Sequence, residues 1–117
     1  MGLVLWIDQN TFATSLIERA FKRKALSFYS LAQVDDFSYL VDDLKPDLIV
    51  LDAETFSQNS QKFLNQYESS ILMQATPFIL IEPKGDFSFL KNKIGELSKP
   101  LDPFKIPEML QTFLKNN

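Results

Sequence analysis

The chain has 117 residues, the size of one domain spanning 1–117, and 45% of them are hydrophobic, enough for a core without disulfides or metals. It contains neither cysteine nor histidine. That excludes disulfide frameworks, thiolate metal sites, thiol nucleophiles and any Ser-His-Asp triad. Twelve basic against fifteen acidic residues leave a net charge of −3. No basic footprint for nucleic acid follows from that balance, and the one cationic run, Arg19 to Lys24, reads as the solvated end of a helix.

Met1 to Ile7 is apolar but short and lacks a basic flank, so it does not read as a signal peptide. No apolar run approaches the roughly 20 residues that span a bilayer. The chain is expected to be soluble and cytoplasmic, with no membrane partner.

Short apolar runs alternate with helical patterns. Leu3-Val4-Leu5-Trp6-Ile7 is continuously apolar and ends in Asp8. Continuous apolarity suits a strand buried on both faces. Thr11 is placed to cap a first helix, with Phe12, Leu16, Ile17, Ala20 and Phe21 as its apolar stripe. Phe28 to Leu31 is a second strand. Asp35 or Asp36 caps a second helix carrying Phe37, Leu40, Val41 and Leu44, which Lys45-Pro46 ends. Leu48 to Leu51 is a third strand and runs into Asp52. Ser57 to Ser69 is expected as a third helix, Phe78 to Ile81 as a fourth strand, and Phe87 to about Ile94 as a short fourth helix. Glu96-Leu97-Ser98 is expected as a fifth strand. A last helix begins at Pro103 or Pro107 and carries Ile106, Leu110, Phe113 and Leu114.

This order is (βα) five times, an α/β fold with a doubly wound, five-stranded parallel sheet of the flavodoxin-like kind. In such sheets the site lies beyond the carboxyl ends of the strands. Asp8, Asp52 and Glu82 fall at or just past strand ends, and Lys99 follows the fifth. Carboxylates gathered at one edge need a cation among them. Magnesium, an aspartate nucleophile and an opposed lysine together make a site for phosphoryl chemistry.

At this point the chain resembles the response-regulator receiver domain of two-component and phosphorelay signalling, over nearly its whole length. Asp8 matches the first acid of the pair after the first strand. Asp52, in Pro46-Asp47-Leu48-Ile49-Val50-Leu51-Asp52, matches the phosphoacceptor. Lys99-Pro100 matches the family's phosphoryl-site lysine and the proline after it, whose bond is cis in the family, and Pro77 also fits. The resemblance implies magnesium held by Asp8, Asp52 and the Glu54 carbonyl. It implies partners among histidine kinases, phosphotransfer proteins and downstream effectors.

Several positions depart from that pattern. Gln9 replaces the second acid of the acidic pocket and weakens the metal site. Glu82 replaces the switch hydroxyl, and an ionised carboxylate cannot donate to a phosphoryl oxygen. Glu96 replaces the switch aromatic. The segment Ala53 to Asn59 lacks the family's loop signature, and Glu54 adds a further negative charge. Glu82 and Lys99 are expected to form a built-in salt bridge. The departures predict a degenerate receiver, or pseudo-receiver, that is no enzyme, holds magnesium weakly and acts through protein–protein interaction. The alternatives are an orthodox regulator phosphorylated on Asp52 with Mg2+ and, further off, a small haloacid-dehalogenase-like phosphatase suggested by Asp52-Ala53-Glu54-Thr55.

Overall fold

A computed structural model describes residues 2–115. The elements are β1 (Leu3–Ile7), α1 (Thr11–Arg23), β2 (Ser27–Leu31), α2 (Phe37–Leu44), β3 (Leu48–Asp52), α3 (Ala53–Ser57), α4 (Ser60–Ser69), α5 (Ile71–Ala75), β4 (Phe78–Ile81), β5 (Lys93–Leu97) and α6 (Ile106–Lys115). The five strands form one parallel sheet in the order β2-β1-β3-β4-β5. The α/β sheet is as expected from the alternation of apolar runs.

The central strands explain the layering. Val4 to Ile7, Leu48 to Leu51 and Phe78 to Ile81 have no exposed surface. Side chains alternate across a strand, so a continuous apolar run needs cover on both faces. Leu5, Ile7, Ile49, Leu51, Phe78 and Leu80 pack with α2, α4 and α5. Val4, Trp6, Leu48, Val50, Ile79 and Ile81 pack with α1 and α6.

The structure corrects the expected fourth helix. Residues 83–92 between β4 and β5 contain no helix, and β5 begins at Lys93 rather than Glu96. The segment instead forms turns, with Gly85 at φ 91°, the Asp86 carboxylate accepting from Ser88 N, and Leu90 N donating to the Phe87 carbonyl. Its apolar residues Phe87, Phe89 and Leu90 turn inward onto α3 and α4. The loop is pinned at its end by Asn92, which accepts from Tyr67 OH at 2.6 Å and donates to the carbonyls of Met73 and Thr76.

Other expectations shift in detail. The single helix expected over 57–69 is α4, preceded by α3 and followed by α5. Asn10, not Thr11, caps α1, its side chain accepting from Ala13 N. Phe12 leaves the expected α1 stripe and is 67% exposed. Asp36 precedes α2 in left-handed geometry and makes no side-chain cap. Pro107 lies in the first turn of α6, where its missing N–H costs nothing.

Asn92→Ala removes the side-chain partners of Tyr67, Met73 and Thr76. Urea unfolding of this variant should show a loss of about 2–3 kcal/mol, the scale of partly buried polar groups left unpaired.

Candidate functional site

The sheet register brings the charged residues together. Ile7 lies opposite Leu51, Asp52 opposite Ile81, and Ile81 opposite Leu97. Asp8, Asp52 and Glu82 therefore share one edge, with Lys99 two residues past β5. Asp8 and Asp52 are buried, at 4% and 1% exposure, while Gln9, Glu54, Glu96 and Lys99 are exposed and Glu82 is half-buried. A cleft of about 590 Å3 is lined by Asp52, Glu54, Ser57, Glu82, Lys84 and Lys99, among others.

Asp52 is the N-cap of α3. Its Oδ2 accepts from Thr55 N at 3.1 Å and from Thr55 Oγ1 at 3.0 Å. The Thr55 hydroxyl in turn accepts from Gln9 N at 2.9 Å, tying the β1–α1 loop to the end of β3. Lys99 Nζ lies 3.2 Å from the other oxygen, Oδ1. That contact is an ion pair by distance, and among the described residues Oδ1 has no other partner.

Asp8 is held by its own loop, Oδ1 accepting from Asn10 N at 2.9 Å. Its pKa is raised above the usual carboxylate value. Burial is the main cause and the Asp52 charge adds to it, against the Asn10 N–H, Trp6 and Lys99. The Trp6 indole N–H faces this carboxyl without closing a hydrogen bond. For Lys99 the largest single effect, burial, lowers the pKa. The Asp52 contact and the charges of Asp52, Asp8 and Glu54 outweigh it, and the net shift is upward.

Glu82 overturns one expectation. Its side chain makes no salt bridge with the Lys99 ammonium. Its Oε1 accepts from the Lys99 backbone N–H at 2.5 Å, just before the cis Lys99–Pro100 bond. The reason is local: Glu82 has φ 48°, which turns the chain sharply after β4 and aims the carboxylate at the loop after β5. The ammonium is left to Asp52. Glu96 pairs with Lys93 at 2.6 Å on the outer strand and takes no part in the site.

The oxygens that would hold magnesium are not assembled. The Glu54 carbonyl accepts from Ser57 Oγ at 2.8 Å and Gln58 N at 3.3 Å, and a carbonyl so used points along α3, away from the strand ends. Gln9 is exposed, and its backbone is tied to Thr55. Asp52 Oδ2 already accepts two hydrogen bonds. Among the described residues no group of three or more His, Cys, Asp or Glu is arranged around a cation position. The arrangement does not fit magnesium, which demands near-octahedral oxygens.

Thr55 is the functional residue that sequence reasoning missed. A signal for it was present: Asp52 followed by Ala53 and Glu54, a good helix former and an acid in the first turn, is a helix start. Thr55→Val keeps the shape and removes the hydroxyl bond to a buried carboxylate. It should cost about 1–2 kcal/mol in urea unfolding and release the Gln9 amide to faster hydrogen exchange.

No protein-family model matches the sequence, and no curated protein matches it either. Solved structures do match in shape. A response regulator from Desulfuromonas acetoxidans superposes at a TM-score of 0.76 with 12% identity, over 99% of this chain and 98% of that one. A CheY-like response regulator receiver domain protein from Methanospirillum hungatei JF-1 gives 0.76 with 11% identity, over 99% and 95%. The pseudo-receiver domain of the CikA protein gives 0.65 with 18% identity, over 96% of both chains. The chain therefore has the fold of response-regulator receiver domains.

Proposed function

We propose that the chain is a degenerate receiver, a signalling module that works by binding protein partners and not by turnover or by a phosphorylated Asp52. Response regulators and a pseudo-receiver share this fold, so the reading rests on the site. The observation that carries it is the clasp on Asp52: Thr55 N and Oγ1 both donate to Oδ2. A phosphoacceptor needs a carboxylate oxygen free to attack and a cation to draw the leaving group and product charge. Here Oδ2 caps a helix and Oδ1 is paired with the Lys99 ammonium. The carbonyl that would complete a metal site is turned into that helix, and Glu54 and Glu82 put negative charge where a phosphoryl group would enter.

The partners fit the same classes as for other receivers, namely kinases, phosphotransfer proteins or effectors. No helix among the described residues is long and apolar enough to cross a membrane. The orthodox reading draws on one feature, the buried Oδ1 with Lys99 beside it.

Incubation with magnesium and a small-molecule phosphodonor, followed by intact mass, separates the two. The unmodified mass is expected. A stoichiometric phosphoryl adduct that disappears in Asp52→Asn would contradict the degenerate reading.

A further inference from the structure

The sheet ends in two edge strands, β2 and β5. An edge offers a row of unpaired backbone groups, which proteins guard with charge, proline or cover. On β5 the charged pair Lys93 and Glu96 stands exposed. β2 carries no such guard. From Ala25 to Val34 there is no charged residue and no proline. Ser27, Tyr29 and Ser30 are exposed, Tyr29 to 42%. The Leu31 carbonyl accepts from Asp8 N, so Leu31, Tyr29 and Ser27 turn their backbone groups toward β1. By alternation, the N–H and C=O of Phe28 and Ser30 point away from the sheet. Charge sits at the two ends of this bare edge, with opposite signs. Exposed Lys22, Arg23 and Lys24 precede it, and exposed Asp35 and Asp36 follow it. Arg23 lies over the Phe104 ring and Asp35 pairs with Lys62. Among the described residues the side chains of Lys24 and Asp36 have no partner.

We propose that the β2 edge is a self-association surface, on which a second copy of this chain adds its own β2 antiparallel about a two-fold axis at Tyr29. The charge order selects that occupant and that direction. A copy added in parallel sets like charges side by side, whereas an antiparallel copy brings the cationic turn of each chain to the acidic turn of the other. Lys24 then lies near the partner's Asp36, and the contact occurs twice. Phe28 exchanges backbone hydrogen bonds with the partner's Ser30, and Ser30 with the partner's Phe28. Tyr29 meets the partner's Tyr29 between those pairs, where side chains approach most closely. The edge is five residues long, so the dimer belongs to the small-interface class, with a dissociation constant of roughly tens of micromolar. It goes beyond the degenerate reading and does not depend on the state of Asp52.

The test is sedimentation velocity of the intact chain from roughly 5 to 500 μM, a span that brackets weak interfaces. Wild type should pass from monomer to dimer, and the Phe28 and Ser30 amides should exchange more slowly at the upper concentration. Lys24→Asp and Asp36→Lys each put like charges in contact and should weaken the dimer roughly tenfold. An equimolar mixture of the two should recover it, because both contacts then join opposite charges. Tyr29→Lys sets two ammonium groups at the axis, and Ser30→Pro removes an outward N–H. Both should stay monomeric, with far-UV circular dichroism confirming the fold. Should Ser30→Pro fail to fold, Tyr29→Lys carries the same decision. A wild type still monomeric at the upper concentration overturns the proposal and favours a strand from another protein. A dimer that persists unchanged in folded Tyr29→Lys overturns it too. So do single charge variants that dimerise like wild type, or a mixture of them that stays monomeric.

Discussion

Burial of three strands on both faces governs where polar groups are allowed in this molecule. From Val4 in β1 and throughout β3 and β4 the side chains are buried, so charge is expelled to the strand ends. Because the strands are parallel and nearly in register, those ends coincide. Asp8 and Asp52 meet there as a consequence of the sheet, and so does the turn that carries Glu82. The site is thus the point where an apolar sheet first tolerates charge, and Thr55 and Lys99 compensate the charge of Asp52 there.

The compensation is internal. Thr55 supplies two hydrogen bonds to one oxygen of Asp52, and Lys99 supplies the opposing charge to the other. Thr55 also holds the Gln9 amide, and Glu82 holds the Lys99 amide, so the two loops that flank Asp52 are tied down beside it. Phe56, next to Thr55 in α3, packs on Phe87 and Phe89 of the loop that stands where a fourth helix was expected. The site and that loop are therefore parts of one packed unit. Hydrogen bonds and aromatic packing thus occupy the same short segment.

Much of this was legible in the residues. The continuous runs 3–7, 48–51 and 78–81 suited doubly covered parallel strands, and they carried Asp8, Asp52 and Glu82 to one edge. The missing helix was not legible, because Phe87, Phe89 and Leu90 are apolar enough to suggest one. Their inward turn depends on the α4 aromatic residues they meet. The Glu82–Lys99 pairing failed for a backbone reason: left-handed geometry at a glutamate leaves no mark in the sequence. The Thr55 clasp depends on α3 starting directly at Asp52, and a five-residue helix is too short to show periodicity.

The central claim is that Asp52 Oδ2 is held by Thr55 while Oδ1 faces the Lys99 ammonium, so the carboxylate is compensated within the chain. A high-resolution crystal structure grown in magnesium with a phosphoryl mimic tests it most directly. The account predicts Thr55 N and Oγ1 on Asp52 Oδ2, the Glu54 carbonyl inside α3, and no metal between Asp8 and Asp52. A magnesium ion bound by Asp8, Asp52 and a Glu54 carbonyl turned out of its helix would contradict it.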